Sequence, residues 1–363
     1  VIPDTAPILS AEEAGVDLWG EVVGQDAAVA ELRAAVATPV HAYLLVGPRG
    51  SGKRALARAF AAALLSRDRT GDDAARHARL ALAEVHPDLT MIERRGASIS
   101  VEQADEIVTS ASRASVEGGP KVLVLDEFHL VTVAGPKLLK SIEEPPAGTV
   151  FLVLAEQLTA DLVTIASRCV RVDLAPVADA AVAARLVEEG VAPEQAAAAA
   201  AAAVGDLRRA RVLASDERVA LRRAAWHAVP DRLDGTGGSA VEAADELLAM
   251  IADAMAPLGE AQAEELAELE ERVRARGERG SGRAELTARH KREERRYRTD
   301  EVRAGLTELI RRYRDEMTTT DRPMASVEAI AAISDLSEEL VRNPNERLQL
   351  VALFVRLGRL RPR

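Results

Sequence analysis

Between residues 42 and 174 the chain repeats one pattern: a short, mainly apolar run, a polar turn, then a longer stretch whose apolar positions fall three and four apart. Runs that are apolar at every position suit strands buried on both faces, and the intervening spacing suits amphipathic helices. The pattern predicts strands near 42–46, 89–92, 122–126, 150–155 and 170–174, in a parallel sheet with helices on both faces. From Val177 to about Leu233 no strand pattern survives, and the eight alanines Ala196 to Ala203 predict a closely packed helix. A glycine-rich break at Gly235 to Ser239 introduces a third part, again helical. There Leu266, Leu269 and Val273 lie at helical spacing, Gly277 to Arg283 reads as a connector, and Val302, Leu306, Leu309, Ile310 and Tyr313 form one stripe. Two further helices are predicted around Val327 to Arg342 and Glu346 to Leu357. The expected division is an α/β domain over 1–175, a small helical domain over 176–238 and an all-α domain over 239–363.

The strand at Tyr43 to Val46 runs into Gly47-Pro48-Arg49-Gly50-Ser51-Gly52-Lys53-Arg54, and a helix is predicted over Arg54 to Leu65. A glycine-rich loop and a lysine between strand and helix form a P-loop, whose backbone N–H groups cradle phosphates while the lysine reaches the β/γ oxygens. The pattern then calls for a serine or threonine to ligate magnesium, and the residue is Arg54. A guanidinium offers no lone pair to a metal and repels one. Phosphate binding by Gly47, Gly50, Ser51, Gly52 and Lys53 is therefore expected to outlast magnesium-dependent hydrolysis. The apolar run Val122 to Leu125 ends in Asp126 and Glu127, where an acid would hold the metal's water shell and the next would polarise the attacking water. The alternative is a plain strand–turn–helix junction and a strand that simply ends at solvent.

Composition narrows the classes. A chain of 363 residues exceeds one ordinary core. It is 48% hydrophobic with 2% aromatic residues, which suits helices packed through small side chains. A net charge of −11 argues against a protein that coats nucleic acid unaided. Arg289 to Arg298 (RHKREERRYR) is locally basic; it reads either as a phosphate contact or, preferably, as a solvated helix face on which Glu293 and Glu294 pair with arginines three or four residues away. Cys169 is the only cysteine, which leaves no disulfide and no cysteine-rich zinc site, and a buried thiol is expected there rather than a nucleophile. No apolar run is long enough to cross a bilayer and no signal pattern opens the chain, so a cytoplasmic protein without membrane contact is expected. Numbering from Val1 suggests a trimmed or renumbered start.

Five phrases stand in the order found in bacterial clamp-loader AAA+ subunits, and the chain resembles that family over residues 20 to 210. They are Val22-Val23-Gly24-Gln25, the run His41 to Pro48, LLKSIEEPP at Leu138 to Pro146, Ser167-Arg168-Cys169, and Gly205 to Ala210. The resemblance implies an α/β AAA+ P-loop domain followed by a helical lid and an all-α collar through which subunits assemble. It implies that Arg168 acts as an arginine finger on ATP held by a neighbouring subunit, and that Arg208 is a sensor for bound nucleotide. Within the family the chain is most similar to the non-motor stator, especially its actinobacterial form. Arg54 replaces the hydroxyl residue, Glu156-Gln157 stands where motors place a Thr or Asn sensor, and no proline-rich or basic extension follows the collar.

Implied partners are the gamma/tau and delta subunits of the loader, the sliding clamp, and primer-template DNA through the complex. ATP is expected to bind weakly or without hydrolysis, with Mg²⁺ only alongside nucleotide. Relatives carry four zinc-binding cysteines after the P-loop helix; the corresponding Ser66 to His86 has none, so no zinc is expected. His77 and His86 alone do not close a tetrahedral site and are expected to be exposed or capping residues. The alternative function is an active AAA+ ATPase, either a gamma/tau-type motor or a ring remodeller of the Holliday-junction helicase kind. For Arg168 the alternative is a local ion pair with a carboxylate such as Asp173. A DExH helicase reading of Asp126 to His129 finds no companion motifs.

Overall fold

The computed structural model describes residues 9–94, 98–131, 135–216, 218–276, 283–320, 322–340 and 345–360. Helices α1 (Ser10–Glu13) and α2 (Asp26–Ala35) precede strand β1 (Ala42–Val46). Helices α3 (Lys53–Ser66) and α4 (Gly71–Leu82) lead to β2 (Leu89–Ile92), and α5 (Val101–Ser112) leads to β3 (Lys121–Leu125). A 3-10 turn at Phe128–Leu130 and α6 (Gly135–Glu143) lead to β4 (Thr149–Ala155), and α7 (Ala160–Ala166) leads to β5 (Val170–Asp173). All strand pairs are parallel, in the order β2-β3-β4-β1-β5, with Leu44 opposite Val153 and Val124 opposite Leu152.

Alternate residues of each central strand serve opposite faces, and each face has its own core. Tyr43, Leu45, Val124 and Leu152 pack with α3 and α4, whereas Leu44, Leu125, Phe151 and Val153 pack with residues of α5, α6 and α7. Burial on both faces explains why these strands are apolar at every position. The parallel sheet with its two helical layers is the expected α/β architecture, and it sets the P-loop and Asp126 at the carboxyl ends of β1 and β3, the edge where open α/β sheets bind ligands.

Three helices follow: α8 (Asp179–Glu188), α9 (Pro193–Ala203) and α10 (Leu207–Ala214). The alanine run lies in α9, where Ala196, Ala199, Ala200 and Ala203 are buried and Pro193 occupies the first turn, the one place where a missing N–H is harmless. Contacts divide the chain into two compact units, 1–212 and 213–363.

The second unit contains α11 (Val219–Arg232), α12 (Gly237–Ala254), α13 (Ala256–Arg276), α14 (Arg283–Met317), α15 (Pro323–Glu339) and α16 (Glu346–Leu360). Its core joins Trp226, Leu247, Ile251, Ile333 and Phe354 to Val302, Leu306, Leu309 and Tyr313 of the expected stripe. The glycine-rich segment departs from expectation: Gly237 and Gly238 already belong to α12. The Thr236 hydroxyl caps that helix by accepting from the Ser239 amide, and the Asp234 carboxylate accepts from Thr236 and Ser239, so capping outweighs the low helix propensity of the two glycines. Residues 277–282 of the expected connector lie outside the described residues. The basic segment also differs in its partners. Arg289 and His290 pair with Glu265 of α13, Arg298 pairs with Glu346 of α16, and Glu293 accepts from Gln262. These charges hold helices together, which an i,i+4 reading of one helix does not capture. Among the described residues no helix is long and apolar enough to cross a membrane.

Candidate functional site

The P-loop turns through two left-handed glycines, Gly50 (φ +74°) and Gly52 (φ +78°), before α3 begins at Lys53. Gly50 also lies against the turn between α9 and α10: a Cβ built on it would fall 1.6 Å from the Val204 carbonyl oxygen. No side chain fits between loop and turn. Val204 itself has φ +53°, a conformation that a β-branched residue rarely adopts and keeps only where its surroundings impose it. Gln25 clamps the loop from the other side, its amide donating to Ser51 O at 3.0 Å and to Ala175 O at 2.6 Å.

Lys53 folds back on its own loop, donating to Gly47 O at 2.6 Å and Pro48 O at 2.8 Å. Burial lowers its pKa, opposed by the charges of Glu156 and Asp126. Arg54 leaves the loop and enters a cluster of acids. It binds Glu84 in a fork, Nε to Oε1 at 3.1 Å and Nη2 to Oε2 at 2.5 Å, ion-pairs with Glu93, and lies 3.7 Å from Asp126. Although burial opposes it, the bonds to Glu84 and Glu93 raise the pKa of Arg54. Glu127, held at φ +50°, accepts from Arg94 at 2.7 Å. His129 Nδ1 accepts from the Glu156 amide at 3.2 Å, which fixes the backbone at the end of β4. Burial lowers the pKa of His129, with Glu156 opposing.

Arg208 of α10 lies 3.7 Å from Glu84, and Arg211 reaches from the same helix to Glu21 at 2.5 Å and Glu189 at 2.6 Å. Thus Gly47, Gly50, Ser51, Gly52, Lys53, Arg54, Asp126, Glu127 and Arg208 surround one end of the sheet. Their charges are turned toward partners within the chain. Glu84, Glu93, Arg94 and Arg58 belong to the same place and carry no motif; only their opposite charges, brought together by the fold, reveal them. The donors present do not fit a magnesium–nucleotide complex: a guanidinium stands where the metal's hydroxyl ligand belongs, it neutralises Asp126, and Val204 presses on Gly50. Among the described residues no group of three His, Cys, Asp or Glu is placed to hold a metal.

Arg168 follows α7, away from this cluster. Its Nη1 donates to Thr164 O at 2.7 Å and Ser167 Oγ at 3.0 Å, and its Nε pairs with Glu143 of the LLKSIEEPP segment. Its side chain remains 40% exposed. Asp173, the local partner expected as the alternative, is held by Arg171 at 2.7 Å; on the strand, residues two apart share a face, so Arg171 meets Asp173 first. Burial pushes the Cys169 thiol up to about 11, as befits an inert residue packed beside the sheet.

His77 and His86 are neither exposed nor capping. Both are buried, with His77 Nδ1 and His86 Nε2 2.8 Å apart and His86 Nδ1 accepting from the Asp88 amide at 3.0 Å. The Asp88 carboxylate in turn accepts from the Val116 and Glu117 amides and from Ser115. The core face of α4 carries His77 inward, and a second imidazole satisfies it where water cannot.

Residues 24–178 match the protein family described as DNA polymerase III, delta subunit. Subunit delta' of DNA polymerase III from Pseudomonas aeruginosa is 37% identical over 160 residues, 42% of this chain and 45% of that one. The delta' subunit of Bacillus subtilis is 30% identical over 159 residues, 43% and 48% of the two chains. The gamma/tau subunit of Mycobacterium tuberculosis is 35% identical over 157 residues, covering 41% of this chain and 27% of that one. The match therefore spans about half the length of the curated delta' relatives.

Proposed function

We propose that this chain, whose residues 24–178 match the DNA polymerase III delta-subunit family, is the delta-prime stator of a clamp loader that helps place a sliding clamp on primed DNA in the cytoplasm. The observation that carries this reading is Arg54: it occupies the magnesium-ligand position of the P-loop and is tied to Glu84, Glu93 and Asp126. A P-loop frame with its charges satisfied internally suits a subunit that keeps the shape of a motor without turning over ATP. Nucleotide binds weakly and is not hydrolysed. The lid, 176–238, holds the P-loop closed, and the collar, 239–363, joins gamma/tau and delta partners.

In this reading Arg168 is the group that does chemistry. Its guanidinium is always charged, stands at a surface corner of the α/β domain and is steadied by Glu143 and Thr164. Against a γ-phosphoryl group in the next subunit it would stabilise charge as the bond breaks, an effect of about 10³-fold or more for such arginines. The test is assembly: the full chain is mixed with the gamma/tau and delta chains of its source cell and weighed intact by native mass spectrometry. A stoichiometric hetero-oligomer is expected. A chain that stays apart from them, or that hydrolyses ATP steadily by itself, overturns the stator in favour of an independent AAA+ ATPase.

A further inference from the structure

The poor fit between this P-loop and a magnesium–nucleotide complex has a structural counterpart in one residue, Glu84. It lies just beyond α4, at φ +62°, with its amide donating to Ala81 O at 3.0 Å and the Val85 amide to Leu80 O at 3.0 Å. This is the left-handed helix-end position that glycine normally takes. A glutamate there has given up backbone ease, and its carboxylate shows what it meets. Arg54 binds it through two bonds, and Arg58 and Arg208 each approach to 3.7 Å. Three guanidiniums from the P-loop helix and the lid thus converge on one carboxylate, an arrangement otherwise suited to a phosphate group. Burial favours the neutral acid, but the Arg54 hydrogen bond and the charges of Arg54, Arg58 and Arg208 hold Glu84 below the usual carboxylate range.

We propose that Glu84 is a built-in anion that takes the place of a polyphosphate: it gathers Arg54, Arg58 and Arg208 and closes the site to free phosphate-bearing ligands. Glu93 and Asp126 also pair with Arg54, so the guanidinium at the phosphate end of the loop is already held by three carboxylates. The same contact ties α10 to the P-loop domain, where Val204 already presses on Gly50. A nucleotide's usual task of drawing lid and P-loop together is performed by a side chain of this chain. The inference rests on the P-loop reading of the site and is independent of assembly with partners.

The probe is sodium tripolyphosphate without divalent metal, titrated calorimetrically into the full chain at low salt. Wild type is expected to bind more weakly than a Kd of about 100 μM, and Glu84→Gln at least about tenfold more tightly than wild type. Glu84→Asp, which keeps the charge, is expected to behave as wild type, and adding Arg208→Ala to Glu84→Gln is expected to remove much of the gain. A folded Glu84→Gln protein that binds no better than wild type overturns the proposal. Should that variant fail to fold, the wild-type titration still decides, because binding tighter than about 100 μM means the site is open. Co-assembly with partner subunits is unaffected by either result, so failure here is distinguishable from failure of the stator reading.

Discussion

Replacing Gly50 by alanine isolates the contact that closes the P-loop, because the chain contains its own control. Gly50 and Gly118 share the same backbone angle, φ +74°, yet a Cβ on Gly118 meets nothing within 4 Å while one on Gly50 falls 1.6 Å from Val204 O. Alanine in the left-handed region costs about 1 kcal/mol at either position. At Gly50 the two backbones must also part, and overpacking of this kind adds about 1–3 kcal/mol unless the lid turn swings away. Gly118→Ala should therefore lower the melting temperature of the first unit by about 2–4 °C and Gly50→Ala by roughly twice that or more. Calorimetry gives the melting temperatures, and hydrogen exchange of residues 179–212 reports whether the lid has loosened; faster exchange is expected only for Gly50→Ala. Gly205→Ala, whose Cβ would lie 2.4 Å from Gly50 O, should act in the same way. Equal losses for Gly50→Ala and Gly118→Ala, with unchanged exchange, would refute the closed contact.

The buried histidines give a pH signature. Burial, with the neighbouring His77, lowers the pKa of His86 in the folded state, so the unfolded chain binds more protons and stability falls as pH drops below the unfolded value of about 6.5. Urea midpoints at pH 7.5 and 5.5 should show this loss, and His86→Gln should reduce it; a midpoint equal at both values would contradict a neutral buried His86. Elemental analysis of the purified chain should find less than stoichiometric zinc, since His77 and His86 bond to each other and no third His, Cys, Asp or Glu among the described residues joins them in a metal-holding group. One zinc per chain would mean that other donors join them.

The three central strands were legible from sequence because strands buried on both faces are apolar at nearly every position, whereas the edge strands β2 and β5 carry Thr90, Arg171 and Asp173 and stand out less. Lys53 and Arg54 were legible too, since the P-loop is contiguous. Their partners were not. Glu84 and Glu93 are ordinary glutamates until α4 and β2 bring them to Arg54, and Arg94 meets Glu127 only because β2 and β3 are neighbours. Pairing of Arg168 with Glu143 rather than Asp173 likewise depends on where α6 ends relative to α7. The histidines depart from expectation for a related reason: two imidazoles satisfy each other in a core, so a polar residue type is a poor guide to exposure. At Gly237 the local preference against glycine in helices lost to a cap formed by Thr236 and Asp234.

The central claim is that this chain serves the chemistry of a neighbour while performing none of its own, and two substitutions in a reconstituted complex separate these roles. ATP turnover stimulated by clamp and primed DNA is measured with wild type, Asp126→Ala and Arg168→Ala versions of this chain, each checked for intact assembly. Asp126 is held by Arg54 within this chain, so Asp126→Ala should leave turnover unchanged. Arg168→Ala should lower it, partially in the total because other motor sites continue, but by orders of magnitude at the one site it faces. Turnover abolished by Asp126→Ala, or untouched by Arg168→Ala, would contradict the account.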